Sequence, residues 1–382
     1  MKRVDCLDGL RGIAALWVLL GHAMILTGFR QPLIGQPGLG VDLFILLSGF
    51  LMVFQYRMRS QFEDWSHPAV WRSFWVRRFF RIAPLFYLTL AAALLAGPAI
   101  YADRVGIDGF LGQSLQAPER YLDASLLNIG LHVTFLFGLL PDYAFRTPLP
   151  DWSLGLEMQF YALFPFFVLL ARKLGWTVMA VAVAGAALFV SLAMAGLGWN
   201  YPMPSFLPLK MHLFLCGMLI AADTSGSRIR AQVHFGLAVI LALIPLGGEG
   251  DLLHLLVREA LVITFFLLVH MRWMPGVDLA ARLLGSRPFH WLGELSYGAY
   301  LIHLLILQPV AAAVIVQFGS DMSAAVRFAL VTAVVMPLTY GAALLGYHFV
   351  ELPGQRLGKA LLRARGRKSE SRQVAPEELA AP

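Results

Sequence analysis

The sequence predicts an all-α polytopic membrane protein with about ten transmembrane helices and both termini in the cytoplasm. Of its 382 residues, 58% are hydrophobic and only 14% are charged, whereas soluble globular domains carry about 25% charged residues. The mean hydropathy is +0.69. The net charge of +7 fits basic residues that flank spans on the cytoplasmic side, so we expect no nucleic acid partner. The two cysteines, Cys6 and Cys216, do not indicate a disulfide scaffold or a cysteine metal site.

Apolar runs define the predicted spans. Each run is close to the length that a helix needs to cross a hydrocarbon core of about 30 Å. The first run follows a basic start, as in a signal peptide, but no small-residue cleavage pattern follows His22, so we expect a retained span. The predicted spans cover residues 9–28, 39–57, 79–98, 152–171, 176–197, 206–222, 234–247, 252–270, 291–316 and 325–348.

The loops between the runs predict the orientation. One set of junctions is basic, with six arginines from Arg57 to Arg81 and further basic residues in the tail from Arg356. The alternate loops are poor in basic residues, and "GWNYPMP", "GGEGD" and "QFGSDMSAA" contain none. Ten spans with cytoplasmic termini satisfy the positive-inside rule, whereas eleven spans would break it after the third span.

Three segments are predicted to lie outside the spans. Residues 125–141, "SLLNIGLHVTFLFGLLP", are apolar but contain Asn128 and His132, so we expect them to be re-entrant or to lie along the outer face within an extracytoplasmic loop, residues 99–151. Residues 58–78 mix Trp, Phe and Arg and predict a segment on the cytoplasmic surface. A transmembrane domain of residues 1–351 is followed by a charged cytoplasmic tail, 352–382, which is expected to be disordered beyond about residue 366.

Arg11 and His22 are ionisable residues within the first span. They are eleven residues apart, which places them on one helix face with a rise of about 16 Å between them. Ionisable residues in spans are costly and usually face a protein interior or a cavity. Arg11 alone could extend to the membrane surface, and His22 alone could be a packed, hydrogen-bonded side chain. Their shared face predicts a polar track through the membrane.

Glu157 lies about 9 Å into its span if Asp151 and Trp152 mark the outer interface. This depth is close to that expected for His22, and a carboxylate beside an imidazole can form a base and its orienting partner. The alternative is a structural salt bridge to a basic residue such as Lys210. Tyr161 is four residues beyond Glu157 and lies on the same helix face.

The segment "WVRRFFRIAP" places three arginines at the predicted cytoplasmic mouth of the third span. Arg78 and Arg81 are neighbours on one helix face, and planar guanidinium groups are suited to binding phosphate. Anchoring of the span by positive charge explains Arg77, Arg78 and Arg81 equally well from composition alone.

Polar residues also occur in the second and ninth spans. Asp42 begins the second span on its outer side, and Gly49 is expected to permit close helix contact. Ser48 could line the cavity or hydrogen-bond its own helix, and we favour the bond within the helix. Tyr300 and His303, in "GELSYGAYLIHLLI", are three residues apart and share a face of the ninth span.

Five ordered blocks resemble the integral-membrane acyltransferase type 3 family, which acylates hydroxyls of bacterial envelope and secreted glycans. The resemblance extends from residue 5 to about residue 358. The blocks are "LDGLRGIAALWVLLGH", "GVDLFILLSGFLM", "RRFFRIAPLFY", "WSLGLEMQFYALFP" and "LGELSYGAYLIHLLI". The chain ends soon after the last span and so resembles members without a fused esterase-like domain.

The resemblance implies transfer of an acyl group, usually acetyl from acetyl-CoA in the cytoplasm, to a glycan or glycolipid hydroxyl on the far side of the plasma (inner) membrane. It implies that the three arginines of "RRFFR" hold the coenzyme A phosphates and that Arg11 positions the thioester arm. His22 would act as general base or as transient acyl acceptor, with Glu157 orienting or charge-stabilising its imidazole. No metal is expected.

Acceptor binding is expected at the outer ends of the spans and in the loop 99–151, where Tyr101, Tyr121 and Tyr143 lie. A transporter or flippase for a glycolipid or small anion could use the same polar track and is the alternative interpretation, whereas a non-catalytic scaffold would not require buried charges. The predicted substrate-binding residues are Asp42, Trp152, Ser153, Tyr161, Tyr300 and His303.

Overall fold

A computed structural model of the chain describes residues 6–223, 227–247 and 251–373, with side chains as far as residue 364. In these ranges the regular secondary structure is helical and includes no strand. The α-helices are α1 Cys6–Thr27, α2 Pro37–Arg59, α3 Pro68–Leu111, α4 Glu119–Leu122, α5 Leu126–Val133, α6 Trp152–Leu174, α7 Trp176–Gly196, α8 Leu207–Ala222, α9 Arg228–Ala242, α10 Leu252–His270, α11 Pro275–Leu284, α12 Arg287–Phe318, α13 Ala324–Gly346 and α14 Leu352–Gln373.

The helices confirm a polytopic, all-α membrane protein. Eight helical segments in the described ranges are long and apolar enough to cross a membrane, α13 and α14 counting as one segment. The sixth and seventh predicted spans correspond to two shorter helices, α8 with 16 residues and α9 with 15. Helix α9 begins earlier than the predicted span 234–247 and ends at Ala242, because Pro245 cannot continue a helix. Each predicted span therefore falls on a helix, while the orientation of the termini stays a prediction.

Helix α3 is much longer than the predicted span 79–98. Its 44 residues rise about 66 Å, roughly twice the hydrocarbon thickness. Pro68 occupies its first turn and Gly112 ends it with a left-handed backbone (φ 63°), so both ends carry the usual helix-boundary residues. The predicted surface segment 58–78 is consequently helical from Pro68 onward, and the predicted outer loop begins only after Leu111.

Residues 125–141 do not form a spanning helix. Helix α5 has eight residues, or about 12 Å of rise, and Phe135 then adopts a left-handed backbone (φ 60°) before two 3₁₀ turns, Leu136–Leu139 and Pro141–Tyr143. Asn128 and His132 are buried, whereas Leu126 is 88% exposed. The segment thus directs its polar side chains into the protein, as expected of either non-spanning arrangement.

Close helix crossings position the central helices. Helix α1 packs against α12, and α2 packs against α8. A Cβ added at Gly49 would collide with the carbonyl oxygen of Phe214, and one added at Gly217 would collide with that of Leu46. The expectation that Gly49 permits close helix contact is confirmed, and this crossing places the polar face of α2 beside α6.

The region after α13 is helical. A π-helical turn, Tyr347–Glu351, leads into α14, whose start packs against α3 near Phe80 and Pro84. Helix α14 runs to Gln373, past residue 366, where we expected order to end. The rest of that predicted disordered tail, residues 374–382, lies outside the described residues.

Candidate active site

A cavity of about 430 Å³ lies among α1, α2, α3, α6, α12 and α14. Its walls carry an excess of positive charge. The basic lining residues are Arg11, Arg59, Arg77, Arg78, Arg81 and Lys359, and the acidic ones are Asp8, Glu157 and Glu294. We call this space the basic cavity. Arg11 and the three arginines of "RRFFR" meet here, while their role in binding phosphate stays a prediction.

The arginines differ in how their charge is neutralised. Arg59 and Arg77 both contact Glu63, at 3.0 and 3.5 Å. Within the part of the chain that the structure describes, Arg11, Arg78 and Arg81 have no carboxylate oxygen within 4.0 Å. Three guanidinium groups therefore face the cavity without an ion-pair partner, which favours binding of an anion such as a phosphate.

Aromatic rings hold Arg78 in place. Its guanidinium carbon lies 5.6 Å from the centroid of the Phe74 ring and 5.4 Å from that of Tyr161, and its Nη2 donates to Gln55 Oε1. Such cation–π contacts orient the guanidinium without neutralising it. Tyr161 thus lies at the basic cavity rather than at the outer ends of the spans.

Glu157 is bound by two hydroxyl groups. Ser48 Oγ donates to Glu157 Oε1 at 2.8 Å, and Tyr161 Oη donates to the same oxygen. The expectation that Ser48 hydrogen-bonds its own helix was wrong, because the close α2 crossing brings its side chain to α6. The alternative salt bridge between Glu157 and Lys210 is also wrong, since Lys210 contacts Asp42 instead.

A smaller cavity of about 70 Å³ shares Arg11, Ser48 and Glu157 with the basic cavity and continues it toward Ser153 and Tyr300. Tyr300 Oη donates to the carbonyl oxygen of Pro150 at 2.6 Å, so the 2.7 Å hydrogen bond between the hydroxyls is donated by Ser153. Ser153 and Tyr300 therefore lie together at the end of the space that leads away from the arginines.

His303 and His22 continue the line of polar groups. The rings of Tyr300 and His303 are 6.1 Å apart, and those of His303 and His22 are 5.0 Å apart. His303 Nε2 lies 3.1 Å from His22 Nδ1. His303 is fully buried, whereas His22 is partly exposed.

Hydrogen bonds assign the tautomers of both histidines. Nδ1 of His303 lies 2.6 Å from the carbonyl oxygen of Tyr300, and Nδ1 of His22 lies 3.0 Å from that of Val18. Because carbonyl oxygens only accept, each Nδ1 carries a proton, and His303 Nε2 accepts from His22. His22 Nε2 therefore keeps a lone pair, and no described residue hydrogen-bonds to it. This nitrogen can accept a proton from a hydroxyl group.

The orienting partner of His22 differs from the predicted one. No hydrogen bond or ion pair joins Glu157 to His22 in the described part of the chain; His303 occupies that position on the imidazole. Arg11 and His22 nevertheless both direct their side chains into the protein, Arg11 toward the cavities and His22 toward α12. Contact between α1 and α12 is the feature that sequence spacing could not supply.

Asp42 lies in a buried ion network and does not line these cavities. Its Oδ1 contacts Lys210 Nζ at 2.8 Å, and its Oδ2 contacts Arg258 Nε at 2.6 Å. Asp42, Lys210 and Arg258 are each 1% exposed, so the predicted substrate-binding carboxylate is occupied by two cations from α8 and α10. Trp152, also predicted to bind substrate, begins α6 and is 8% exposed within the hydrophobic core.

Sequence reasoning missed several lining residues. Gln55 binds Arg78, and Gln355 and Lys359 reach the basic cavity from α14. Lys359 was assigned to a solvated tail, and only the packing of α14 on α3 reveals its role. In residues 6–223, 227–247 and 251–373, no group of three or more His, Cys, Asp or Glu side chains could hold a metal ion.

Comparison with known proteins identifies the family. Residues 4–346 match the family model described as "Acyltransferase domain". No solved structure matches the chain.

Three relatives carry informative names. "Putative peptidoglycan O-acetyltransferase YrhL" of Bacillus subtilis is 26% identical over 98% of this chain and 57% of its own length. "Acyltransferase MdmB" of Streptomyces mycarofaciens is 26% identical over 80% of this chain and 79% of its own. "Peptidoglycan O-acetyltransferase OatA" of Listeria monocytogenes is 27% identical over 45% of this chain and 25% of its own. The chain thus spans little more than half of the Bacillus protein. It belongs to the integral-membrane acyltransferase family whose model covers residues 4–346.

Proposed function

We propose that the chain is a multi-pass O-acyltransferase of the plasma (inner) membrane that transfers an acetyl group from cytoplasmic acetyl-CoA to a glycan hydroxyl on the opposite side. One observation carries this proposal. In a cavity where Arg11, Arg78 and Arg81 have no carboxylate partner among the described residues, the space continues past Glu157 to Tyr300. Beyond Tyr300, the rings of His303 and His22 continue the line of polar groups to an imidazole nitrogen with a lone pair. Such a line of groups can hold an anionic donor at one end and activate a hydroxyl at the other.

The positive charge of the basic cavity favours an anionic donor. The cavity volume of about 430 Å³ falls within the usual range for ligand pockets, about 300–1,000 Å³. Arg78 and Arg81 would bind the phosphates of coenzyme A, with Arg77 and Lys359 at the rim. The arginine-rich segments at this end favour the cytoplasmic side by the positive-inside rule. Acetyl-CoA is therefore expected to enter from the cytosol.

The pantetheine arm would extend from the arginines toward His22. Arg11 and His22 are separated by about 16 Å along α1, and the smaller cavity lies between Arg11 and Tyr300. Arg11 would contact the arm near its middle and direct the thioester toward the histidine pair. A donor held at one membrane face could thus deliver its acyl group near the other.

The chemical step follows from the tautomer of His22. Nε2 removes the proton from the acceptor hydroxyl as its oxygen attacks the thioester carbonyl carbon. The new C–O bond forms, the C–S bond breaks, and coenzyme A leaves as a thiolate, which takes the proton from His22 Nε2 and so restores the neutral imidazole. The His22 imidazolium donates from Nδ1 to Val18 O and His303 Nε2, so His303 is its positioning residue. Transient acylation of Nε2 is the alternative first step.

Names of relatives support a glycan acceptor. Two of them are named for the O-acetylation of peptidoglycan, and both match the present chain over less than two thirds of their own length. We infer an acceptor with sugar hydroxyls, presented by the outer loop and the outer ends of the spans. Glu157 would act at the thioester arm, where its charge lies beside Arg11, rather than on His22.

The test uses the full chain in vesicles with radiolabelled acetyl-CoA and a glycan acceptor. We expect release of free coenzyme A thiol together with labelled glycan. His22→Asn should lower the rate about 10²- to 10⁴-fold, the usual range for a general base, without lowering the protein level. His67→Asn, at a surface histidine with 71% of its side chain exposed, is the matched control.

Two results would contradict the proposal. Full transfer activity in the His22→Asn protein would show that His22 is not the general base. Movement of a glycolipid or anion without thiol release would indicate a transporter. A labelled protein adduct that is trapped in wild type and lost in His22→Asn would select the acyl-histidine route over direct transfer.

A further inference from the structure

At the end of the molecule opposite the basic cavity, the Arg120 guanidinium also lacks an acidic partner among the described residues. Arg120 belongs to α4, in the outer loop that follows α3. In the part of the chain that the structure describes, no carboxylate oxygen lies within 4.0 Å of its guanidinium. The acidic side chains nearby, Asp108 and Asp151, are bound by Arg104 and Thr147 respectively.

Neutral groups hold the Arg120 guanidinium in place. Nε donates to the carbonyl oxygen of Thr147 at 3.4 Å, and Nη1 donates to Gln116 Oε1 at 3.3 Å. The guanidinium carbon lies 3.7 Å from the centroid of the Phe145 ring and 5.4 Å from that of Tyr121. None of the described residues hydrogen-bonds to Nη2, and Arg120 is partly exposed. The group is fixed in direction while its charge and one donor nitrogen remain available.

The surroundings of Arg120 disfavour its charge. Burial lowers the pKa of the guanidinium to about 10, so Arg120 is still protonated at neutral pH but is poorly solvated. A bound anion would offset this cost, because an opposite charge at short range stabilises the protonated form.

Arg120 lies close to the proposed reaction centre. Tyr121, its neighbour in sequence, donates from Oη to Gln308 Oε1 at 3.2 Å, and Gln308 is on α12, five residues beyond His303. Helix α3, which leads into this loop, carries a second arginine, Arg104. Arg104 is paired with Asp108 at 2.8 Å, whereas Arg120 has no carboxylate partner among the described residues.

Arg146, in the same loop, provides a contrast. Its guanidinium also lies over an aromatic ring, 4.8 Å from the centroid of Tyr143, but Nη1 contacts Asp123 at 2.8 Å. The two arginines share a loop and an aromatic support and differ in charge neutralisation. An arginine that only stabilises the loop could be paired with a carboxylate, as Arg146 is with Asp123, so the unpaired charge of Arg120 indicates another role.

We propose that Arg120 binds an anionic group of the acceptor, a carboxylate or a phosphate, and thereby positions a nearby hydroxyl at His22. The proposal rests on the proposed function, because it makes Arg120 a determinant of acceptor specificity at the same site. We therefore expect the enzyme to prefer acidic glycans or glycans carried on a phosphate. The acceptor would thus be bound at two points: Arg120 binds its anionic group, and His22 contacts its reacting hydroxyl.

The test compares acceptors that differ only in charge. One pair is an oligosaccharide of glucuronic acid and N-acetylglucosamine and its carboxyl-reduced form; the other is a neutral oligosaccharide and its phosphate monoester. The full chain in vesicles is assayed with acetyl-CoA, as wild type, Arg120→Gln, Arg120→Lys and the control Arg146→Gln. The first pair tests whether the anionic group of the acceptor is a carboxylate, and the second tests whether it is a phosphate.

We expect wild type to have the lower KM for the charged member of one pair. Arg120→Gln should raise that KM about 10- to 100-fold, as for loss of a hydrogen bond to a charged group, and leave the KM of the neutral member unchanged. Arg120→Lys should recover part of the preference, and Arg146→Gln should keep all of it. A purely structural role would instead change both members equally, and that result would overturn the proposal.

Binding without acyl donor separates this inference from the proposed function. Purified full chain should bind the charged oligosaccharide more tightly than the neutral one, and Arg120→Gln should abolish the difference. If wild type transfers acetyl groups but shows no charge preference in either assay, the Arg120 proposal fails and the enzyme assignment stands. If wild type transfers nothing yet binds the charged probe through Arg120, the proposed reaction fails and the anion site stands.

Discussion

Two groups of charged side chains lie within the predicted membrane-spanning region, and they differ in neutralisation. In the Asp42–Lys210–Arg258 network, both carboxylate oxygens meet cations and the three side chains are 1% exposed. In the basic cavity, Arg11 and Arg81 face about 430 Å³ of space, and no carboxylate of the described residues pairs with them. Both groups are costly in a membrane. The comparison teaches that a charge inside the bilayer marks a binding site when a cavity, rather than a counter-ion, faces it.

The largest effect is expected from breaking the buried Asp42–Lys210–Arg258 network. Asp42→Ala removes the carboxylate that Lys210 and Arg258 share, and breaking a buried ion pair costs about 3–5 kcal/mol. We expect a large loss of folded protein, measured as membrane-inserted yield and as the Tm in detergent. Asp64→Ala is the control, because Asp64 is an exposed acid that contacts Arg172. A stable Asp42→Ala protein with altered acceptor selectivity would instead show that Asp42 binds the acceptor, as the sequence predicted.

An intermediate effect is expected in the basic cavity, and on function rather than on stability. Arg81→Gln should raise the KM for acetyl-CoA about 10- to 100-fold, since a hydrogen bond to a charged phosphate is lost, and should leave the Tm unchanged. Arg172→Gln, at an arginine with 46% of its side chain exposed, should change neither value. A fall in Tm with an unchanged KM would show that Arg81 is structural, as Asp42 is.

The smallest effect is expected at the neutral histidine pair. His303→Leu removes the acceptor that lies 3.1 Å from His22 Nδ1, and we expect kcat to fall about tenfold, near the upper limit for one hydrogen bond between neutral groups. The KM for acetyl-CoA should not change. His303→Gln, whose side-chain oxygen can also accept, should recover part of the loss. An equal loss in both variants would contradict a positioning role for His303.

The sequence predicted the spans well because apolar length is a local property. All ten runs fall on helices, and residues 125–141 are correctly kept out of the membrane-spanning set. The ends of α3 were missed because its boundaries depend on Pro68 and Gly112, well outside the apolar run. The start of α14 was assigned to a tail because its packing against Phe80 and Pro84 is a tertiary contact.

The candidate site was predictable where one helix carries the pattern. Arg11 and His22 share a helix face because eleven residues complete about three turns, and Arg78 and Arg81 share one because residues three apart are neighbours on a helix surface. Partners on other helices were not predictable. His303 rather than Glu157 lies on the His22 imidazole, and Asp42 meets cations from α8 and α10. The spacing of residues within one helix does not predict which helices pack against each other.

Helix α3 joins the two ends of the molecule by one continuous stretch of backbone. Arg81 and Arg104 lie on it 23 residues apart, or about 35 Å along the axis. Between them, Pro84 and Pro98 lie inside the helix, and each removes one backbone hydrogen bond. Because helices bend most readily at such prolines, we expect the arginine-lined end of α3 to move without carrying Arg104 with it.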